Sequence, residues 1–368
     1  MRTSFRRTSL TRLTLIIGIF GSSLCLPSMG RAATGDVQPV SPLETSTVTP
    51  NQAGREAQRT AYELLGDRPF QAVLMSGGRA VMTASSLGTS PFSDEPIASI
   101  SKLVTSMALM RLVESGEVSM NEIMGNLFPA VILPERWSGV TVTQLLSHTS
   151  GFAADRDRWF NDTYESCFDA FRLIVQRDAP SGTGYEYSNT NFCALSLAIG
   201  SLSGPSYDDA VFRLVLRPLG IARKKMDPEY ANLSGAGGWR MSALDVGRIV
   251  SAVDPNARLS PLSSATRTQM IQRTSFNYGL GVWIWDPDTY GHSGSLYRAR
   301  SIAVRLPSGR VAVILTQATF PESGLDLLPI AQRIDAAFES SCAASPCEFR
   351  GIDPFNALPT GIRGRAQI

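Results

Sequence analysis

Pro96-Ile97-Ala98-Ser99-Ile100-Ser101-Lys102, running on into Leu103-Val104-Thr105-Ser106-Met107-Ala108-Leu109-Met110, is the stretch around which the chain is organised. Small polar residues followed by strong helix formers mark the start of a helix. Residues three apart share a helix face, so the Ser99 hydroxyl and the Lys102 amine meet there. A serine hydroxyl is a weak nucleophile until a base removes its proton, and a desolvated lysine is such a base. Backbone N–H groups at a helix start also favour charge developing on an oxyanion.

Of 34 basic residues only Lys102, Lys224 and Lys225 are lysines. Arginine cannot release its proton in a protein, whereas a buried lysine can. The choice of lysine three residues after Ser99 is therefore chemically pointed, although serine is common and the spacing alone is weak.

Outward toward the N-terminus, residues 1–33 read as an export signal. Arg2, Arg6, Arg7 and Arg12 precede an apolar run from Leu13 to Leu26, with Ala32 and Ala33 at the cleavage end. Removal takes away five arginines and no acids, carrying the formal charge from +2 to −3. A mature chain of that charge gives no reason to expect nucleic acid as a partner. No run is long enough for a stable membrane span once the signal is gone. An exported protein, periplasmic or secreted, follows.

Residues 34–52, rich in Ser, Thr and Pro, read as a linker. Helical spacing runs from Gly54 to Leu65, and Gly77-Gly78 joins apolar runs Phe70–Met75 and Arg79–Ala84 as a hairpin. Residues 117–270 are mostly helices between Gly/Pro-rich loops. Strand character returns at Tyr278–Trp285, Arg300–Leu306 and Val311–Thr316, with Pro307-Ser308-Gly309 as a turn, before an amphipathic helix from Leu325 to Phe338. A hairpin at the front and three strands near the end predict one sheet built from both chain ends.

Four cysteines remain after signal removal: Cys167, Cys193, Cys342 and Cys347. An even count in an exported chain permits two disulfides. Proximity favours Cys342–Cys347, which leaves Cys167–Cys193. With two histidines and no metal-ligand spacing, neither a metal nor another cofactor is expected. No Gly-x-Ser-x-Gly elbow is present, which argues against an α/β-hydrolase.

Three further segments complete a pattern: Leu145-Leu146-Ser147-His148-Thr149-Ser150-Gly151, Tyr187-Ser188-Asn189 and His292-Ser293-Gly294-Ser295. With Ser99-x-x-Lys102, and in this order, they resemble the serine β-lactamase and penicillin-binding family, in its class C-like branch. The resemblance covers residues 53–340. It implies an α/β fold: an antiparallel sheet flanked by helices, plus an inserted mostly helical domain. The α/β lobe would hold residues 53–103 and 271–340, the helical lobe residues 104–270, with 341–368 an irregular tail.

The same resemblance implies that Ser99 becomes acylated, Lys102 takes its proton, and Tyr187 relays a proton to the leaving group. Asn189 would hold a substrate amide, with His292, Ser293, Gly294 and Ser295 lining the substrate. The N–H groups of Ser99 and Ser295 would form the oxyanion hole. His148 is expected to be structural. His-Ser-Gly stands where β-lactamases usually carry Lys-Thr-Gly. That resembles D,D-peptidase, D-aminopeptidase and esterase-like members more than true β-lactamases. Arg298 and Arg300 follow closely, either as a substitute cation or as strand-edge residues. The expected substrate is a small molecule or peptide, peptidoglycan-derived ones included. The rival expectation is a penicillin-binding sensor that acylates without turnover.

Overall fold

A computed structural model describes residues 52–129, 131–154, 164–182, 184–317 and 321–344. Its centre is a six-stranded antiparallel sheet of β1 (Phe70–Ser76), β2 (Arg79–Ser85), β5 (Trp283–Asp286), β6 (Thr289–Leu296), β7 (Ala299–Arg305) and β8 (Val311–Thr316). Its order is β2-β1-β8-β7-β6-β5, so the front hairpin pairs with the last strand, Phe70 opposite Thr316 and Met75 opposite Val311. The expected assembly from both chain ends is what forms. A two-stranded ladder, β3 (Glu95–Pro96) with β4 (Arg240–Met241), was not legible beforehand.

β1 is apolar from Ala72 to Met75 and β8 from Val311 to Leu315, because both faces of the sheet are covered. The side chains still alternate. Val73, Met75, Val311, Val313 and Leu315 enter one core, while Phe70, Ala72, Leu74, Ala312 and Ile314 enter the other. The second core is closed by α1 (Gln52–Leu65) and the C-terminal helix α6 (Leu328–Ala344). Ala53, Ala57, Ala61 and Leu65 recur every fourth residue and form the buried stripe of α1.

The first core contains α2 (Ser101–Glu114), which is buried on all sides from Ser101 to Met110. The same core takes in buried residues of α3 (Cys167–Arg177), α4 (Asn189–Ser203) and α5 (Ala243–Ser251). A disulfide, Cys167–Cys193, ties α3 to α4. Cys342 is also disulfide-bonded, and Cys347 lies outside the described residues.

Several boundaries differ from the sequence reading. The strand expected over Tyr278–Trp285 pairs only from Trp283. Before it, Gly281 takes φ +75° and passes so close to α2 that a Cβ there would lie 1.8 Å from Ser106 Oγ. β6 was obscured in the sequence because Gly291 and Gly294 interrupt its alternation. Gln52, assigned to the linker, is already helical, and α6 runs four residues past the expected start of the tail. Residues 1–33, read as the signal, and the linker up to Asn51 lie outside the described residues, as do residues 345–368.

Candidate active site

Ser99 sits in a single 3-10 turn, Ala98–Ile100, that leads into α2. Two bonds fix this turn: Ile97 N–H donates to Trp239 O at 3.0 Å, and Ser301 Oγ donates to Ile97 O at 2.9 Å. Ala98 is held at φ +51°, which a non-glycine residue adopts only under constraint. The turn leaves Ser99 partly exposed while its neighbours Ala98 and Ile100 are buried.

Lys102 is fully buried one helical turn on. Its Nζ donates to Ser99 Oγ at 3.2 Å, Asn189 Oδ1 at 2.8 Å and Ala236 O at 2.7 Å. All three are neutral oxygens. Asn189, expected to face substrate, is the first residue of α4, capped by the Ser188 hydroxyl, and its side-chain oxygen holds the lysine. Nζ also lies 4.8 Å from the centroid of the Tyr187 ring.

Ala236 was missed by sequence reasoning because its contribution is a backbone carbonyl. The loop Ala231–Ala236 turns sharply at Ser234, φ +43°, and delivers Gly235 O to Thr105 and Ala236 O to Lys102. The run of small residues Ser234–Gly238 was the available signal: a Cβ on Gly235 would lie 2.7 Å from Thr105 Oγ1.

His148 underlies Tyr187. Its carbonyl accepts from Glu186 N–H at 2.8 Å and its Nδ1 from Ser188 N–H at 3.2 Å, so it grips both neighbours of Tyr187. The two rings lie 4.4 Å apart. A backbone N–H can only donate, so Nδ1 is unprotonated and the neutral ring carries its proton on Nε2. Burial holds its pKa well below the usual value, with the nearby Lys102 charge adding to the effect. His148 is fully buried beneath Tyr187.

His292 takes the opposite tautomer. Nδ1 lies 2.6 Å from Ser293 O, so it carries the proton, and Nε2 accepts from Tyr278 O–H at 3.0 Å. The ring is fully buried. Its pKa falls to about 3, chiefly from burial and then from the charge of Lys102. His292, expected to line the substrate, is thus a neutral, buried part of the wall.

The backbone of β6 approaches Ser99 closely. A Cβ on Gly294 would lie 2.6 Å from Ala98 Cβ, 2.6 Å from Ser301 Oγ and 2.7 Å from Ser99 N. β5 pairs with β6 only over Thr289–Gly291, so the Ser293–Ser295 edge beside Ser99 is left without a neighbouring strand among the described residues. Ser293 is half-buried and Ser295 exposed, the Ser295 Oγ accepting from Gly324 N–H at 2.9 Å. Arg300 does not reach toward the serine: its guanidinium donates to the carbonyls of Pro321 at 2.8 Å, Glu322 at 2.9 Å and Ala299 at 3.0 Å. Arg298 is exposed at the hairpin tip, stacked near the Tyr297 ring. Among the described residues no cluster of acidic, histidine or cysteine side chains could hold a metal ion.

The family model described as Beta-lactamase matches residues 72–336. The chain belongs to the beta-lactamase family. Its members are serine hydrolases that act by acyl transfer, and the juxtaposition of Ser99 with Lys102 is consistent with that membership. Penicillin-binding protein 4 of Amycolatopsis lactamdurans is 28% identical over 268 residues, which cover 59% of this chain and 70% of the relative. The D-alanyl-D-alanine-carboxypeptidase/endopeptidase AmpH of Escherichia coli K12 is 31% identical over 134 residues, covering 34% of each chain. Among solved structures, a D-amino acid amidase from Ochrobactrum anthropi SV3 superposes with a TM-score of 0.65 at 18% identity, over 79% of this chain and 100% of the other. That likeness establishes the β-lactamase/transpeptidase-like fold.

Proposed function

We propose that this protein hydrolyses a D-aminoacyl amide, peptide or ester through an acyl-enzyme on Ser99, in preference to a β-lactam. The 3.2 Å contact between Ser99 Oγ and the buried Lys102 Nζ carries the reading. In its neutral form Lys102 keeps its two N–H groups on Asn189 Oδ1 and Ala236 O and accepts the Ser99 proton on its lone pair as Oγ attacks the carbonyl carbon. Asn189 Oδ1 and Ala236 O keep Nζ aimed during the transfer. The N–H groups of Ser99 and Ser295 receive the developing oxyanion, and Tyr187, seated on His148 and beside Lys102, relays to the leaving group the proton that Lys102 took from Ser99, which restores both residues. Water then releases the acyl group.

Preference for a substrate without a carboxylate at the β6 edge is supported by His292 and Arg300. A lysine at position 292 would supply a permanent cation, whereas His292 is neutral at pH 7 and buried. Arg300 is committed to backbone carbonyls. The name of the D-amino acid amidase points the same way.

Export is part of the proposal. The Cys167–Cys193 disulfide suits an oxidising compartment. No helix among the described residues is long and apolar enough to cross a membrane.

A panel of a D-alanyl-D-alanine peptide, D-aminoacyl amides, short esters and a chromogenic cephalosporin tests the reading. Turnover of an amide, peptide or ester above the cephalosporin is the expected result. An adduct on Ser99 that persists without turnover of any of them would show a sensor instead.

A further inference from the structure

Among the described residues, four that are not glycine have positive φ: Ala98, His148, Ser234 and Phe276. The first three surround the serine and lysine: Ala98 precedes Ser99, His148 seats Tyr187, and Ser234 turns the loop that brings Ala236 O to Lys102. Strain of this kind costs ~1–3 kcal/mol, persists only where the surrounding structure over-determines it, and clusters at active sites. Phe276 is the member left without a role.

Phe276 and Asn277 form a two-residue turn closed by Ser275 and Tyr278, which exchange bonds of 3.2 and 2.8 Å. Such turns favour Gly or Asn where φ is positive, yet here a phenylalanine at φ +43° leaves its ring 70% exposed. The ring is stacked on Tyr185 at 5.5 Å, and Tyr185 meets Trp283 edge-on at 6.0 Å. Trp283 in turn stacks on Tyr187 at 6.1 Å with an interplanar angle of 14°. A continuous aromatic row therefore runs from solvent to the residue beside Lys102.

We propose that Phe276, Tyr185 and Trp283 form a platform for an aromatic or bulky apolar group on the leaving-group side of the substrate. This rests on the reading of Ser99 and Tyr187 above, because Tyr187 marks the side on which the leaving group departs and the row extends beyond it. Isolated exposed apolar residues are ordinary, but an exposed ring held in a strained backbone and stacked into the site is not.

Acetate esters of benzyl alcohol and of ethanol test it, with ethyl phenylacetate against ethyl acetate as the acyl-side series. The readout is alcohol released in the first turnover, so it does not depend on deacylation. Aromatic contacts are worth ~0.5–1.5 kcal/mol, so Phe276→Gly should lower the benzyl-to-ethyl rate ratio by about three- to tenfold. Glycine suits the positive φ, which keeps the variant folded. Phe276→Tyr should restore the ratio. An unchanged ratio in Phe276→Gly, or a shift confined to the acyl-side series, overturns the platform. Failure of a fluorophosphonate to label Ser99 in the wild type overturns the underlying site, and the proposal with it.

Discussion

Gly294→Ala tests the approach of β6 to Ser99. The new methyl would meet Ala98 Cβ and Ser301 Oγ at 2.6 Å and Ser99 N at 2.7 Å, where ordinary contact begins near 3.4 Å. None of the three can retreat cheaply. Ala98 and Ser99 are held by the Ile97 bonds to Trp239 and Ser301, and the far side of Gly294 is packed by Gly324, whose own Cβ would lie 2.2 Å from Gly294 O. Overpacking of this size costs ~1–3 kcal/mol, which for a domain of this size lowers Tm by about 1.5–5 °C. The protein should stay folded at room temperature. Relieving the clash moves β6 away from the serine by a large part of an ångström, and misplacement of about 1 Å costs ~10²-fold in rate. Stopped-time labelling of Ser99 with a fluorophosphonate, alongside a melting curve, measures both effects. Labelling within about threefold of wild type would refute the idea that the Gly294 backbone sets the geometry at Ser99.

Histidine chemistry supplies a second prediction. Above pH 6.5 His292 is neutral folded and unfolded; from there to about 3 only the unfolded chain takes up the proton, so stability falls as pH falls. That amounts to ~1.4 kcal/mol per pH unit, and His292→Asn should remove it from the slope of unfolding free energy between pH 4 and 6; an unchanged slope would count against the assignment. Asn189→Asp places a carboxylate 2.8 Å from Nζ and should move the pH profile of Ser99 acylation upward by ~1–3 units, whereas an unmoved profile would mean that the Lys102 proton is not limiting. Replacing Cys167 and Cys193 together by alanine opens a loop of 26 residues and should cost ~3.5 kcal/mol, read by urea denaturation; a change under ~1 kcal/mol would show that the tether adds little.

Much of this was legible in the sequence because the signals were local. The Gly77-Gly78 hairpin adopts positive φ at both glycines, and the α1 repeat from Ala53 to Leu65 is a stripe any helix would bury. Ser99, in the 3-10 turn, and Lys102, in the first turn of α2, lie three residues apart on one continuous helical path, so their contact follows from helix geometry. What was hidden depends on contacts distant in sequence. The carbonyl of Ala236 reaches Lys102 across 134 residues, and backbone oxygens carry no side-chain signature. The burial of His292, with one nitrogen against Ser293 O and the other accepting from Tyr278, likewise depends on a contact that spacing does not display. Asn189 is turned toward Lys102 by its place at the start of α4, which spacing alone could not reveal.

Transfer of the Ser99 proton to Lys102 is the step on which acylation depends in the proposed reaction. Peptide mapping after reaction with a fluorophosphonate, with the labelling rate compared between wild type and Lys102→Arg, addresses it most directly. Arginine keeps the positive charge but not the ability to release a proton. With melting curves confirming that the variant is folded, a single adduct on Ser99 and a loss of ~10²- to 10⁴-fold in Lys102→Arg are expected. An adduct on another serine, or a folded Lys102→Arg variant labelled within about tenfold of wild type, would contradict it.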